Sequence, residues 1–156
     1  MILVDTSVWI DYFRGADTPE TDTLDNLLGV ELAVTGDLIL TEVLQGFISE
    51  REFDKGRKLF ASIPLIPLVG EDIAVQAARN FRKLRTLGIT IRKTIDTLIA
   101  TSCIEKELTL LYSDRDFDPF VKHLGLRSAL SGSSSSEGQR RKRPYVSLRQ
   151  HENIRS

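Results

Sequence analysis

The sequence contains few of the residues that build disulfides, thiolate or histidine metal sites and membrane spans. Cys103 is the only cysteine, so a disulfide within the chain and a cage of several thiolates around a metal are both excluded. With only His123 and His151 available, a histidine-rich zinc site is not expected. Apolar runs such as 63–69, which includes two prolines, are far shorter than the roughly 18 residues of a membrane span. The first residues also lack the basic segment of a secretion signal, so we expect a cytoplasmic protein with no membrane contact.

The residues that are present describe one soluble domain followed by a tail of different composition. The chain has 156 residues, of which 41% are hydrophobic and 28% are charged, and its net charge is -1. This is enough apolar material for one hydrophobic core. Residues 1–130 carry 15 basic and 20 acidic side chains, whereas 131–156 carry 6 basic and 2 acidic ones. We therefore expect a globular domain over 1–130 and a Ser/Gly linker with a basic tail over 131–156.

The tail has two interpretations. Residues 131–138 are nearly all serine and glycine, and the run 139–144 that follows carries four basic side chains. The segment is either a disordered or non-native extension, or a basic arm that contacts nucleic acid or folds back onto an acidic surface.

The apolar pattern predicts strands that alternate with helices. Strands are expected at 2–4, 31–35 and 108–112, with an extended segment at 63–69 near a sheet margin and an edge strand around Leu126. Helices are expected at 8–15, 21–28, 38–47 with Asp37 as its N-cap, 51–62, 71–87, 94–106 and 116–123. This alternation is typical of an α/β fold with a parallel sheet covered on both faces. In such folds the ligand site lies beyond the carboxyl ends of the strands.

Acidic residues follow three of the predicted strands. Asp5 comes directly after the first strand, and Asp114 comes shortly after the strand at 108–112. Glu42 lies in the second turn of the helix that follows the strand at 31–35. If these strands are neighbours, the acids meet at one edge of the sheet.

Asp96 lies on the apolar face of a predicted helix. Ile99, Ala100 and Cys103 follow it at spacings of three, four and seven residues, which places all four on one side of the helix. An unpaired buried charge costs several kcal/mol as an order of magnitude. The Asp96 carboxyl is therefore expected to be protonated, paired with a base or bound to a cation.

Four acids that share one pocket would require a metal ion. Like charges within ~4–6 Å raise one another's pKa values, so a cluster ionises at neutral pH only when a cation neutralises it. We expect Asp5, Glu42, Asp96 and Asp114 to bind Mg²⁺, with Mn²⁺ as the alternative, because all their donor atoms are oxygen. Such an ion is suited to phosphodiester hydrolysis. Ser7 is an auxiliary candidate, either as an N-cap or through a hydroxyl that orients a water bound to that ion.

Basic side chains are concentrated between residues 79 and 93, where six are present and no acidic one. One interpretation is that they complement the negative end of a helix dipole. The other is a rim that contacts phosphates beside the metal pocket. On this second interpretation the candidates are Arg82, Lys83, Arg85, Arg92 and Lys93.

Four segments together resemble a PIN-domain ribonuclease, and more narrowly a VapC toxin of a type II toxin–antitoxin pair. They are residues 4–11, 40–46, 95–100 and 113–117, whose acids are separated by 37, 54 and 18 residues. The resemblance covers residues 1 to about 128 and implies a PIN-like three-layer α/β/α fold with a central parallel sheet of four to five strands.

The resemblance also implies an activity, a site and partners. The activity is Mg²⁺- or Mn²⁺-dependent endonucleolytic cleavage of RNA, and the five basic candidates between residues 82 and 93 would then be RNA-binding residues. Matched motif by motif, Asp5, Glu42, Asp96 and Asp114 are the catalytic, metal-binding acids, and Asp116 is a weaker auxiliary. The implied partners are a second copy of the chain and a VapB-type antitoxin that docks over the active site, often with a basic side chain in the acidic pocket.

Three other interpretations use the same residues. A PIN-like nuclease of RNA maturation, or one that acts on structured DNA, would keep the acids but need no antitoxin. A signalling receiver would also bind Mg²⁺ in an acidic pocket, but it requires adjacent acids after the first strand, where Asp5 stands alone. A non-catalytic module would bind only RNA or a partner.

Overall fold

The chain alternates strands and helices along its length, as expected. The structure is a computed structural model that describes residues 1–130, and the predicted linker and basic tail at 131–156 lie outside the described residues. The strands are β1 Ile2–Val4, β2 Ala33–Gly36, β3 Leu65–Ile66, β4 Thr109–Leu111 and β5 Arg127–Ser128. The helices are α1 Thr6–Phe13, α2 Pro19–Gly29, α3 Asp37–Leu44, α4 Glu50–Ala61, α5 Glu71–Thr86, α6 Thr94–Glu105 and α7 Asp118–Leu124, and a 3-10 turn at Arg115–Phe117 precedes α7.

The five strands form one parallel sheet in the order β3-β2-β1-β4-β5. The chain passes outward from β1 to β2 and β3, then returns to the other side of β1 to form β4 and β5. The order of the strands therefore reverses between β1 and β4, where Leu3 aligns with Leu110. In open parallel sheets the crevice beyond the carboxyl ends of two such strands is the usual ligand site.

The helices form two layers, one on each face of the sheet. In one group, α1 packs against α2 and α3, and α3 packs against α4. In the other group, α5 packs against α6 and α7. Right-handed crossovers place these two groups on opposite faces of the sheet. The structure thus confirms the three-layer α/β/α architecture with five strands. Within residues 1–130, no helix is both long and apolar enough to cross a membrane.

The core is apolar on both faces of the sheet. The strand residues Leu3, Val4, Leu110 and Leu111 are completely buried, which is typical of parallel strands covered by helices on both sides. On the α1 side, the ring of Trp9 lies 4.6 Å from that of Phe60 and 6.1 Å from that of Phe13, and all three residues are buried. The aromatic residues of α1 therefore belong to the core.

Several predicted helix starts differ from the structure by one or two residues, and local contacts explain those of α3 and α2. The prediction that Asp37 is an N-cap was wrong: Gly36 is the N-cap of α3 and Asp37 is its first helical residue. The Asp37 carboxylate instead accepts hydrogen bonds from the backbone N–H groups of Leu38 and Leu68, which ties the segment after β3 to the start of α3. Helix α2 begins at Pro19, two residues early, because Thr18 caps it in a reciprocal capping box with Thr21.

Candidate active site

Asp5 stands at the carboxyl end of the central strand and caps the helix that follows. Its Oδ2 accepts hydrogen bonds from the backbone N–H of Ser7 at 3.0 Å and from the Ser7 hydroxyl at 2.6 Å. The Ser7 Oγ in turn accepts the backbone N–H of Ser113 at 3.1 Å, directly beyond β4. Ser7 is therefore not the N-cap. It joins the loops that follow β1 and β4 and fixes the orientation of the Asp5 carboxylate.

Asp114 lies in the loop beyond β4, beside Asp5 as the strand order requires. Its Oδ1 accepts the backbone N–H of Asp116 at 2.9 Å and so caps the 3-10 turn. Its Oδ2 faces the Lys93 ammonium at 3.9 Å. Asp116 lies within that turn and does not cap α7, whose N-cap is Phe117.

Glu42 reaches the same edge of the sheet from α3. Its Oε1 accepts a hydrogen bond of 2.8 Å from the hydroxyl of Thr6, which immediately follows Asp5. Because α3 begins directly after β2, this contact joins the neighbouring strands β1 and β2 at their carboxyl ends. Thr6 was not among the predicted site residues, and its position next to Asp5 was the only signal in the sequence for this contact.

Asp96 is the third residue of α6 and is 5% exposed. Its apolar neighbours Ile99, Ala100 and Cys103 are completely buried, as the helical spacing predicted. Its Oδ2 is buried and has no hydrogen-bond partner among residues 1–130. Burying a carboxylate oxygen without a partner costs free energy unless the carboxyl is protonated or binds a cation.

The pKa values show that the four acids share one electrostatic environment. The pKa of Asp96 is raised to about 7, mainly by burial and next by the charge of Asp5. The charges of Asp114 and Glu42 raise it further, whereas the charge of Lys93 lowers it. Burial also raises the pKa of Asp5 to about 6, against its hydrogen bonds with Ser7. Burial raises the pKa of Glu42, while the Thr6 hydrogen bond and Lys93 oppose the rise. The tertiary structure thus brings the four predicted acids together.

The cluster has the donor set of a divalent-cation site. One carboxylate oxygen from each of Asp96, Asp114 and Asp116 lies within 4.8 Å of the other two. The structure therefore brings Asp116, predicted as an auxiliary, close to two of the four main acids. Together with the Asp96 oxygen that lacks a partner, this all-oxygen set fits a hard divalent ion.

The basic residues divide into one inside the acidic cluster and four outside it. Of the five predicted RNA-binding residues, only Lys93 forms an ion pair within residues 1–130. Exposed side chains of α5 and of the loop before α6 make up the rest, namely Arg82, Lys83, Arg85 and Arg92. The Arg85 guanidinium lies over the ring of Phe81, 5.8 Å from its centroid.

Known proteins share the sequence pattern of this chain. The family profile described as "PIN domain" matches residues 2–121. This chain belongs to the PIN-domain family. The VapC ribonuclease Mb1587 of Mycobacterium bovis is 30% identical over 132 residues, which cover 83% of this chain and 98% of the relative. This PIN domain is therefore also a member of the VapC ribonuclease family, and both resemblances read from the sequence are confirmed.

Solved structures confirm the PIN fold at lower sequence identity. VapBC2 from Rickettsia felis, solved with a DNA fragment from its promoter, matches with a TM-score of 0.63 and 17% identity over 82% of this chain and 97% of that one. A toxin–antitoxin complex from Klebsiella pneumoniae matches with a TM-score of 0.59 and 18% identity, again over 82% of this chain and 97% of that one. These comparisons favour neither the signalling receiver nor a non-catalytic module.

Proposed function

We propose that this VapC-family PIN domain is a divalent-metal-dependent endoribonuclease and the toxin of a toxin–antitoxin pair. One observation carries the proposal: carboxylate oxygens of Asp96, Asp114 and Asp116 lie within 4.8 Å of one another, and a buried Asp96 oxygen has no hydrogen-bond partner in residues 1–130. The charges of Asp5 and Glu42 also act on Asp96. Such a cluster needs a cation at neutral pH. The name of the M. bovis relative supports RNA as the substrate class.

The acids have distinct expected roles in holding the ion. Asp5, Glu42, Asp96 and Asp114 would ligate it, and Asp116 would assist from the 3-10 turn. Oxygen ligation favours Mg²⁺ or Mn²⁺ over zinc. When bound, the ion supplies an attacking water of lowered pKa and neutralises charge on the scissile phosphate.

The chain's own residues prepare the site for this chemistry. Ser7 holds one oxygen of Asp5, and Thr6 holds one oxygen of Glu42, so both carboxylates are oriented before an ion arrives. Asp96, with a pKa of about 7, would ligate the cation in its ionised form. The exposed cations Arg82, Lys83, Arg85 and Arg92, with Lys93 at the pocket, would contact the RNA backbone.

The partners follow from the family and the charge of the site. The antitoxin would be VapB-type, and the toxin–antitoxin complex from K. pneumoniae among the similar structures supports such a partner. An acidic pocket is complementary to a basic side chain from that partner. The homodimer stays a prediction of the family resemblance.

The decisive experiment is cleavage mapping on total cellular RNA with Mg²⁺, Mn²⁺ or EDTA. We expect defined cuts with either ion and none with EDTA. Asp96→Asn should lower the cleavage rate by more than about 100-fold, because it removes a buried ligand. Asp54→Asn, a matched change at an exposed residue of α4, should not lower it. Equal cleavage by Asp96→Asn and wild type would refute the proposed site.

A second experiment tests the toxin role. Expression of the full chain should arrest bacterial growth, and co-expression of the cognate antitoxin should restore it. Asp5→Asn should be harmless on its own. A nuclease that cleaves RNA in vitro but whose expression does not arrest growth would instead favour the maturation nuclease.

A further inference from the structure

We propose that Lys93 is a built-in counter-cation of the acidic pocket, which occupies it when no divalent ion is bound and competes with the ion for Asp114. The inference rests on the proposed function, since it assumes that the cluster binds a divalent ion. It adds a specific role for Lys93, which neither the sequence pattern nor the comparisons assign.

The contact geometry places Lys93 at the cluster itself. Its Nζ lies 3.9 Å from Asp114 Oδ2, and the two side chains are 41% and 31% exposed. The Lys93 charge also acts on Asp96 and on Glu42. Lys93 forms the ion pair with Asp114 at this cluster, and within residues 1–130 no second one is described for Asp5, Glu42, Asp96 or Asp114. No other basic side chain in that part of the chain is therefore paired with these acids.

Local helix chemistry does not explain a lysine at this position. Lys93 is the N-cap of α6, with extended backbone angles and no capping hydrogen bond from its side chain. N-cap positions favour Ser, Thr, Asp and Asn, whose short side chains accept the free N–H groups of the first turn. A cation is also unfavourable beside the positive end of the helix dipole. The acids around Asp96, three residues later, are the feature that compensates for both disadvantages.

The backbone fixes where the lysine can reach. The Lys93 carbonyl accepts the N–H groups of Asp96 at 3.2 Å and Thr97 at 3.4 Å, so the residue is held at the first turn of α6. Its four-carbon side chain is flexible beyond that point. The ammonium can therefore lie against Asp114 or move outward without a change in the backbone.

The ion pair is weak enough for a divalent ion to displace it. Half-exposed groups nearly 4 Å apart gain little from their attraction in a solvent-screened setting. A divalent ion carries twice the charge and contacts the carboxylate oxygens directly. Lys93 therefore reduces repulsion among the acids in the ion-free protein and weakens the apparent affinity for the ion.

The test compares Mn²⁺ binding to the full chain by isothermal titration calorimetry in wild type, Lys93→Gln, Lys93→Arg and Arg92→Gln. Arg92→Gln is the matched control, because it removes the same charge from an adjacent exposed residue that has no ion pair within residues 1–130. Lys93→Gln should bind Mn²⁺ about 3- to 10-fold more tightly than wild type, and Arg92→Gln clearly less so. Lys93→Arg should stay near wild type.

Thermal unfolding of the same variants supplies an independent readout. In EDTA, Lys93→Gln should lower Tm more than Arg92→Gln does, and saturating Mn²⁺ should remove this difference. Unchanged or weaker Mn²⁺ binding by Lys93→Gln, or an equal gain in Arg92→Gln, would overturn the role of Lys93 and leave the nuclease proposal intact. If wild type binds no Mn²⁺ at all, the proposed function fails and this inference fails with it.

Discussion

Replacing Asp96 with asparagine should make the ion-free protein more stable at neutral and alkaline pH. The Asp96 pKa is raised from 3.8 to about 7 in the folded protein, mainly by burial and then by the Asp5 charge. A rise of this size corresponds to at most about 4 kcal/mol of unfavourable free energy for the ionised carboxylate. Asn has nearly the same shape and no charge, so it removes this unfavourable free energy.

The pH dependence of the effect has a definite sign. Because the folded-state pKa of Asp96 lies above its unfolded value of 3.8, the folded protein binds the proton more tightly than the unfolded chain does. The contribution of the Asp96 carboxyl to the free energy of unfolding is therefore fully present below about pH 4 and is lost as the pH rises to about 7. The advantage of Asp96→Asn over wild type should grow across the same interval and level off above it.

Urea unfolding in EDTA at pH 5 and pH 8 measures this advantage, with Asp54→Asn as the control for loss of an exposed acidic charge. We expect Asp96→Asn to be more stable than wild type at pH 8, and by a smaller margin at pH 5. Saturating Mn²⁺ should stabilise wild type but not the variant, because only wild type keeps the buried ligand. If Asp96→Asn is no more stable than wild type at pH 8 in EDTA, the reasoning about a repulsive, buried carboxylate is wrong.

Three further predictions concern residues around the site and the core. Thr6→Val should weaken Mn²⁺ binding about 3- to 10-fold in calorimetry, because the Glu42 carboxylate loses its hydrogen bond, whereas Thr6→Ser should retain it. Gly36→Ala should lower the free energy of unfolding by about 1–3 kcal/mol, because its Cβ would lie 2.2 Å from Leu68 Cδ1; an unchanged denaturation midpoint would contradict this packing. Thr18→Ala should cost about 0.5–2 kcal/mol through loss of the α2 capping box, again measured by urea unfolding, with no change in Mn²⁺ affinity.

The sequence alone was sufficient for the architecture, and it also singled out the four acids of the proposed site. Strand and helix periods are local properties, so β1, α6 and β4 could be placed within a few residues. Asp5 and Asp114 could be assigned to one edge because both follow buried strands, and Asp96 stood out as a carboxylate on an apolar helix face. These inferences require only spacing along one element and the general geometry of parallel sheets.

The contacts that complete the site were decided by tertiary structure. Thr6 meets Glu42 across 36 residues, and Ser7 meets Ser113 across 106 residues. No local pattern encodes these pairs, because they depend on which strands are neighbours and on side-chain orientations at their ends. The position of Lys93 inside the acidic cluster has the same origin: sequence placed it near a helix start, and only packing of α6 beside β4 brings its charge to Asp114.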